Sequence, residues 1–365
     1  MRFIILCLFL MCLSCKNKEG IDKSLSTVDL SGTAVTPKYY IVAKSTEPLV
    51  IDGKADDVAW QNAPFTSSFI DIEGEKTPKF KTKAKMLWDE DYLYVYAYME
   101  EPHIWGNIKS RDAIIYLNND FEVFIDPSND GFNYGEIEIN ALNTVWDLFL
   151  DRPYRVGGKA NFHWNLDQLQ SAVFINGSLN DFSDEDSYWS LEIAIPLKPL
   201  IELKNRPRTK PKEGEQWRLN FSRVEWEHEI LDSAYQRKTV DGKIQPQYNW
   251  VWSNQQVINM HEPEKWGFIQ FTETNTTEGV AFNEDRDLII KQMAFALFRK
   301  TRSGDLKRLL NLPVGSHEKL KITHGDDPKM DVFFYKTNIG FEYKIQSPVT
   351  KNTFVINEQG QLLQL

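Results

Sequence analysis

Two short runs within residues 119–147 alternate polar and apolar residues, and they constrain the fold more than any other part of the chain. Successive side chains of a β-strand point to opposite faces, so each run should have one apolar face and one polar face. The apolar faces would consist of Phe121, Val123, Ile125, Ile137 and Ile139. The other faces would hold Asp120, Glu122, Phe124, Glu136, Glu138 and Asn140. If the runs pair, they form a sheet surface rich in hydrogen-bonding groups, which is either solvated or a site for a polar ligand.

Short runs of this kind continue from residue 39 to about residue 272 and are broken by Gly, Pro, Asn and Asp. This pattern is typical of a β-sandwich, so the predicted fold class is mainly β with antiparallel strands. We expect a hairpin in AKMLWDEDYLYVYAYME, with its turn at WDEDY. The other strands are predicted at YYIVAK, FEVFID, EIEIN, TVWDLFL, AVFING, YWSLEIAIP, QWRLNFSRVEW, WVWS and GFIQF.

The character of the chain changes after residue 271, where the polar segment ETNTTEG reads as a linker. The segment NEDRDLIIKQMAFALFRKTRS then has apolar residues at helical spacing, with acids early and bases late, which suits the helix dipole. Strands are predicted around KLKITH, MDVFFYK, GFEYKIQ and TFVINEQ. We therefore divide the chain into a β-sandwich at 38–273 and a small α+β appendage at 274–365, in which no chemical motif is found.

The N-terminal residues MRFIILCLFLMCLSC resemble a bacterial lipoprotein signal over residues 1–15. Lipidation would fall on Cys15, and residues 16–37 would form a flexible tether. The apolar run is shorter than the ~20 residues that a spanning helix needs. We expect a lipoprotein anchored to a membrane of the cell envelope, on its periplasmic or its surface side. All three cysteines, Cys7, Cys12 and Cys15, lie in this segment, so disulfides and cysteine-based sites are excluded elsewhere.

The chain has more acidic than basic residues, and this limits the kinds of ligand that it can bind. The formal net charge is -10 and the isoelectric point is about 5.3, which disfavours nucleic acid or anionic lipid as the main ligand. Aromatic residues make up 13% of the chain and would suit either a β-rich core or stacking on sugar rings. The sequence contains no nucleophile elbow, phosphate-binding loop, dinucleotide fingerprint or zinc-protease motif.

Carboxylates in the two alternating runs raise the question of catalysis. Hydrolysis of a glycosidic bond needs two carboxyl groups ~5 to 9.5 Å apart, and Glu122 and Glu138 could meet that requirement. No motif sets a proton donor opposite a nucleophile, however, so we interpret both residues as hydrogen-bond partners of a ligand. A glycoside hydrolase or lyase remains the enzymatic alternative. In the turn DPSNDG, Asp126 and Asp130 offer oxygen ligands, so a calcium site is the alternative to a plain hairpin turn there.

The order of several segments resembles the family 9 carbohydrate-binding modules, which belong to a wider group of DOMON-like β-sandwiches. The segments are LVIDGKADDVAW, AKMLWDEDYLYVYAYM, NDFEVFIDP, EIEIN, YWSLEIAIP, WRLNFSRVEW and HEPEKWGFIQF. The resemblance covers about residues 39–272 and implies an antiparallel sandwich of jelly-roll type. It also implies non-catalytic binding of a poly- or oligosaccharide, in which the protein holds the sugar without transforming it.

The same resemblance implies a set of ligand-binding residues. In the family a terminal sugar lies between two aromatic rings, while a Glu and polar residues on the next strand bind its hydroxyl groups. The first aromatic position falls on Tyr116 and the Glu on Glu122. The next-strand positions fall on Glu138 and Asn140, and the second aromatic position falls on Met260.

Two of these positions depart from the family pattern. Met260 lacks a rigid aromatic plane, and Glu138 stands where the family can have an arginine. The departures imply a different sugar, weaker binding, or a displaced site that uses Trp105 or Trp252. An envelope assembly protein that has lost sugar binding is a further alternative. Haem held by Met260 and a histidine is another.

Overall fold

The computed structural model of the protein describes residues 27–325 and 329–365. The predicted signal segment and the lipidation site Cys15 lie outside these residues. None of the helices formed by the described residues is long and apolar enough to cross a membrane.

The strands, in chain order, are β1 Thr27–Asp29, β2 Tyr39–Lys44, β3 Ile70–Asp71, β4 Thr82–Trp88, β5 Tyr92–Glu100, β6 Asp120–Asp126, β7 Tyr134–Asn140, β8 Val145–Leu150, β9 Ala160–Asn161, β10 Gln170–Asn176, β11 Tyr188–Pro196, β12 Gln216–Glu225, β13 His228–Leu231, β14 Ala234–Arg237, β15 Thr239–Val240, β16 Lys243–Ile244, β17 Tyr248–Val251, β18 Gly267–Phe271, β19 His317–Thr323, β20 Met330–Lys336, β21 Phe341–Gln346, β22 Thr353–Asn357 and β23 Leu362–Gln364. The α-helices are α1 Leu197–Leu203 and α2 Leu288–Ser303. Short 3-10 helices lie at Val58–Asn62, Ile115–Leu117, Tyr154–Val156, Pro263–Lys265 and Asp305–Asn311.

A single large sheet forms the main body of the protein and confirms the mainly β prediction. Its strands follow the order β10-β11-β5-β4-β2-β18-β12-β6-β7-β8-β9, with β17 beside β12 and β3 beside β17. The strands at one end of this order form one layer of a sandwich, and the strands at the other end form the second layer. The apolar side chains of the two layers share one core. That core contains Met86, Val95 and Ile193 from one layer and Val123 and Ile137 from the other.

Strand β2 departs from the predicted antiparallel arrangement. It pairs parallel with both β18 and β4, whereas the other pairings in this sheet are antiparallel. Parallel neighbours cannot be joined by a tight hairpin, and both neighbours of β2 lie far from it along the chain. Strand β2 therefore joins the two layers of the sandwich.

The predicted faces of the two alternating runs are confirmed by strands β6 and β7. These strands pair antiparallel, with Glu122 opposite Glu138 and Asp120 opposite Asn140. Phe121, Val123 and Ile139 point into the sandwich core. The carboxylates therefore lie on the outer side of the same layer, where loops instead of the second layer cover them.

The loops over this outer face bring their own apolar residues. Ile115 of a 3-10 helix and Met260 of the segment before β18 form a second cluster with Phe124, Trp146 and Trp266. This cluster holds the loops against the face and leaves an opening above the carboxylates.

The C-terminal residues form a six-stranded sheet in the order β1-β19-β20-β21-β22-β23, packed against helix α2. The predicted strands β19 to β22 and the helix are present, although the helix begins at Leu288, five residues later than the periodic pattern. The separate core of this region supports the division of the chain near residue 273, which stays a prediction.

Strand β1 corrects the predicted tether, because Thr27–Asp29 pair parallel with β19. Val28 and Leu30 are buried in the core formed with helix α2. The segment is ordered instead of flexible because its apolar residues are buried beside a partner strand that lies almost 300 residues away in the chain. The tether prediction is therefore wrong for residues 27–30.

A buried ion-pair network joins the sandwich to helix α2. Arg155 donates to Glu264 Oε2 at 2.8 Å, and Arg299 of α2 donates to Glu264 Oε1 at 2.6 Å. Burial raises the pKa of Glu264, but Arg155 and Arg299 outweigh burial and bring that pKa to about 2. Gln292 also donates to the Glu264 backbone oxygen at 2.7 Å. Helix α2 thus holds the segments around Arg155 and Glu264, and both segments border the opening above the carboxylates.

Candidate functional site

The opening above strands β6, β7 and β8 is a cleft of about 690 Å³. Its floor is the outer face of the sheet, and its rim comes from the loops at residues 112–116, 154–162 and 258–261. The lining residues are Ile72, Asp112, Ile114, Tyr116, Glu122, Phe124, Glu136, Glu138, Trp146, Leu148, Tyr154, Phe162, Val224, Gln247, Asn249, Ile258, Asn259, Met260 and His261.

Three carboxylates meet at the floor of the cleft. Glu122 and Glu138 are direct cross-strand partners, and Asp120 lies on the same face two residues before Glu122. One carboxylate oxygen from each of the three residues lies within 4.8 Å of the others. All three side chains are buried, and Glu138 Oε2 accepts a hydrogen bond from the Tyr116 backbone N–H at 3.0 Å.

Burial controls the charge of these acids. It raises the pKa of Glu122 to about 7. Burial and the neighbouring acid charges raise the pKa values of Asp120, Glu136 and Glu138 well above the ordinary carboxyl range. None of the ion pairs among residues 27–325 and 329–365 involves Asp120, Glu122 or Glu138.

The nearest basic group, His261, does not balance the negative charge of these acids. His261 Nε2 lies 3.9 Å from Glu136 Oε2, but burial and the charge of Arg155 lower the pKa of His261 to about 4. The imidazole is therefore neutral at physiological pH. The floor of the cleft favours protonated carboxyl groups or a cationic partner.

Aromatic rings form much of the rim. Tyr116 is 38% exposed and stacks on Trp146, with ring centroids 6.5 Å apart, and Trp146 in turn packs on Phe162 at 5.6 Å. At the Glu136 end of the floor, Tyr154 packs edge-on against His261 at 4.5 Å. Tyr154 lines the cleft together with Glu136 and Glu138, and burial and then the charges of these two acids raise the pKa of Tyr154 to about 12.

Four of the predicted site residues meet in this cleft: Tyr116, Glu122, Glu138 and Met260. Met260 is almost completely buried and packs in the apolar cluster below the rim. Its backbone oxygen accepts a hydrogen bond from Trp266 Nε1 at 2.7 Å. Met260 therefore shapes the wall of the cleft but offers little surface on which a sugar ring could stack.

Asn140 does not line the cleft, although it lies beside it. Its Nδ2 donates to the Ile108 backbone oxygen at 2.9 Å, and its Oδ1 accepts from the backbone N–H groups of Leu142 and Thr144. Its amide is fully used by these loops. The predicted contact with a ligand is therefore corrected to a supporting role.

Trp105 and Trp252 are also placed away from the cleft. Trp105 is buried against Val224, Trp226 and Tyr235, and Trp252 is buried in the sandwich core. Both rings pack in apolar clusters, so the displaced site suggested by the sequence has no exposed ring at either position.

The calcium site considered at Asp126 and Asp130 is explained by turn geometry. Asp126 accepts hydrogen bonds from the backbone N–H groups of Ser128, Asn129 and Gly131 at 2.7 to 3.0 Å. Asp130 accepts from the Phe132 N–H at 2.9 Å and from an amide side chain. These donors account for both carboxylates without an ion.

Several residues of the cleft were missed at the sequence level. Asp120 could have been found, because alternation already placed it on the face of Glu122. Trp146 is the cross-strand partner of Glu138, which only the pairing of β7 with β8 reveals. Tyr154 and Phe162 lie on an irregular connection with no local pattern that points to the cleft.

Comparison with known proteins decides the family. A family model described as "Carbohydrate family 9 binding domain-like" matches residues 51–274, which is more than half of the chain. The chain belongs to this family. The matched region includes the sandwich strands from β3 to β18 and all the residues that line the cleft.

Similar curated proteins match over a short segment. Endo-1,4-beta-xylanase A of Thermoanaerobacterium saccharolyticum is 36% identical over 98 residues, and Exoglucanase XynX of Acetivibrio thermocellus is 33% identical over 98 residues. Each segment covers 27% of this chain and 8% of the relative. The chain therefore spans only a small part of the length of these proteins.

Solved structures with partial similarity to this chain include a family 9 carbohydrate-binding module from Caldicellulosiruptor kristjanssonii in complex with cellotriose. It has a TM-score of 0.42 and 17% identity, and the match covers 68% of this chain and 100% of that one. A putative carbohydrate-binding protein from Bacteroides uniformis has a TM-score of 0.47 and 13% identity, with coverage of 65% and 100%.

Proposed function

We propose that the protein binds a poly- or oligosaccharide in the cleft without transforming it. The observation that carries this proposal is the combination of a floor of buried carboxyl groups with the partly exposed rings of Tyr116, Tyr154 and Phe162 at the rim. Sugars offer both an apolar face and many hydroxyl groups, so they match such a site. Membership of the carbohydrate-binding family 9 supports the same ligand class.

The rings and the acids have separate roles in this mechanism. An exposed ring such as Tyr116 packs against the C–H face of a sugar, while Glu122 and Glu138 bind its hydroxyl groups. Because the pKa of Glu122 is about 7, this carboxyl group is partly protonated near neutral pH and can donate as well as accept. Each hydrogen bond contributes only about 0.5–1.5 kcal/mol after water is displaced, so the affinity should be modest.

The size of the cleft limits the ligand. Its volume of about 690 Å³ lies within the range of about 300–1,000 Å³ that is usual for small-molecule sites. The site would thus hold one end or a short stretch of a glycan chain, and the remainder would extend into solvent. The matched relatives include a xylanase and an exoglucanase, so xylo- and cello-oligosaccharides are the first ligands to test.

The geometry argues against the hydrolase alternative. Retaining glycosidases hold their carboxyl groups about 5–5.5 Å apart and inverting ones about 6.5–9.5 Å apart, on two sides of the bond that is cleaved. Glu122 and Glu138 are instead neighbours on one sheet face, with oxygen atoms within 4.8 Å. A sugar bound in the cleft would meet both acids from the same side.

A glycan array, followed by calorimetry on the best ligand, tests the proposal. We expect binding by the purified chain and at least tenfold weaker binding by Glu122→Ala, a loss of about 1.4 kcal/mol or more. Glu342→Ala is the matched control, because Glu342 is an exposed acid on strand β21 of the other sheet. The proposal fails if no glycan binds, or if both variants bind equally well.

We also propose that a lipid on Cys15 tethers the protein to a membrane of the cell envelope. The support is the signal-like order of a charged residue, an apolar run and Ser14 before Cys15. Cys15→Ala should move the protein from the detergent phase to the aqueous phase in a phase-partition experiment. An unchanged partition would contradict the anchor.

A further inference from the structure

The carboxylate of Asp120 at the floor of the cleft has no partner that explains it. Asp120 is 0% exposed, and neither of its oxygen atoms makes a hydrogen bond of ordinary geometry among the described residues, although the Val224 backbone N–H lies near enough to favour its ionised form. Burying a carboxyl group without hydrogen bonds is costly, and such groups are rare in native proteins. The position therefore suits either a protonated carboxyl group or a bound cation.

A second unpartnered group lies at the same place. The hydroxyl of Ser222 is 0% exposed and makes no hydrogen bond of ordinary geometry within the described part of the chain, but it lies near enough to Glu122 to lower the pKa of that carboxyl group. Ser222 is the cross-strand partner of Glu122 on strand β12, so its side chain lies on the same face as the three acids. This neutral oxygen adds a polar atom beside the three acids.

The spacing of the acids suits one hard cation. Ca²⁺ binds oxygen ligands at about 2.3–2.6 Å, so two ligands on opposite sides of the ion lie about 4.6–5.2 Å apart. Oxygen atoms of Asp120, Glu122 and Glu138 all lie within 4.8 Å of one another, which lets each contact a single ion. Mg²⁺ usually keeps several waters and is bound by only one or two carboxylates, and zinc sites prefer nitrogen and sulfur ligands, so three carboxylates suit Ca²⁺ better.

We propose that one Ca²⁺ ion binds between Asp120, Glu122 and Glu138 at the floor of the cleft. Glu122 and Glu138 line the cleft, whereas Asp120 lies beneath it, so the open side of the ion faces the cleft. Calcium takes 6–8 ligands, and the positions that the protein leaves open would hold water.

The position of the ion suggests a further role, which rests on the proposed sugar binding. Neighbouring hydroxyl groups of a sugar can replace two waters on the open side of the ion. The ion would then contact the ligand directly, while the rings of the rim hold its apolar face. Sugar affinity would then depend on calcium, and bound sugar would raise the calcium affinity by the same factor, although calcium would also bind in the absence of sugar.

Calorimetric titration of the purified, chelator-treated chain with CaCl₂ tests the ion site. We expect one ion per chain, a dissociation constant at or below about 10⁻³ M, and a rise in Tm on addition of calcium. Asp120→Asn should weaken calcium binding by more than about tenfold, with Glu122→Gln as a second variant if the first does not fold. The absence of both heat and a Tm shift at millimolar calcium would overturn the proposal.

Asp130→Asn is the matched control, because the turn at Asp126 and Asp130 is the other place where the sequence suggests calcium. This variant should bind calcium as the unmodified chain does. Loss of calcium binding in Asp130→Asn, with binding retained in Asp120→Asn, would place the ion in the turn and overturn the proposal.

Sugar titrations with calcium and with EDTA separate the two proposals. Sugar binding that is at least tenfold weaker in EDTA supports the direct contact between ion and sugar. Equal sugar binding in both conditions, with no calcium binding, overturns the ion site and leaves the proposed function intact. Calcium binding without any sugar binding supports the ion site and contradicts the proposed function.

Discussion

Removal of the Arg299 charge should loosen the attachment of helix α2 to the sandwich. Arg299 donates to Glu264 Oε1 at 2.6 Å and to the Thr33 backbone oxygen at 2.7 Å, and Arg155 holds the other oxygen of Glu264. The change Arg299→Met keeps an apolar side chain of similar reach and removes both hydrogen bonds. Glu264, which is buried, would then keep one arginine partner.

The magnitude follows from the charge state of Glu264. Its pKa falls from 4.5 to about 2, and at about 1.36 kcal/mol per pKa unit this corresponds to about 3 kcal/mol of stabilisation of the ionised form. Arg155 and Arg299 share that effect, so Arg299→Met should lower the free energy of unfolding by about 2 kcal/mol. Loss of one partner from a buried ion pair usually costs about 3–5 kcal/mol, and the remaining arginine explains the smaller value.

Urea unfolding followed by tryptophan fluorescence measures this change. Lys300→Met is the control, because Lys300 pairs with the exposed Asp305 at 3.4 Å and such pairs contribute at most about 1 kcal/mol. Because the folded-state pKa of Glu264 is depressed, the stabilisation is present above pH 4.5 and is lost as the pH falls toward 2. Equal stabilities of Arg299→Met and Lys300→Met at pH 7 would refute this reasoning.

Three further changes test the fold. Burial raises the pKa of Glu192 from 4.5 to about 7, so the folded state binds more protons than the unfolded state between these pH values. The free energy of unfolding therefore falls as the pH rises from about 4.5 to about 7. Glu192→Gln should remove most of this pH dependence, which urea unfolding at pH 5 and pH 8 measures. Gly267→Ala should cost about 1–3 kcal/mol, since an added Cβ would lie 2.4 Å from the Trp252 ring, and an unchanged Tm would contradict that packing. Val28→Asp should destabilise the C-terminal sheet in hydrogen exchange, whereas a freely moving segment would tolerate it.

Local patterns predicted much of the sandwich. The predicted strand β11 has the bounds Tyr188–Pro196 that the structure shows, because apolar residues at alternate positions between polar turns leave little choice. The faces of β6 and β7 followed from alternation, since a shift by one residue would bury Glu122 in the core. These features depend on neighbours in sequence and on the strand period.

Features that depend on distant partners could not be predicted in this way. Strand β1 has three residues in the described part of the chain, and its partner β19 lies near the other end of the chain. The rings of Tyr154 and Phe162 reach the cleft from an irregular connection that no period describes. Alternation predicted the face on which Asn140 lies, so Asn140 was expected to bind a ligand. It could not predict the loops whose backbone groups occupy the Asn140 amide.

The most direct test of sugar binding in the cleft compares two exposed tyrosines. Tyr116 at the rim is 38% exposed, and Tyr335 on strand β20 of the C-terminal sheet is 39% exposed, so the residues match in type and exposure. Calorimetric titration with the best-binding oligosaccharide should show about tenfold weaker binding for Tyr116→Ala, because a lost ring contact is worth about 1 kcal/mol or more. Tyr335→Ala should bind like the unmodified chain. Equal affinity of the two variants would contradict a sugar site at Tyr116.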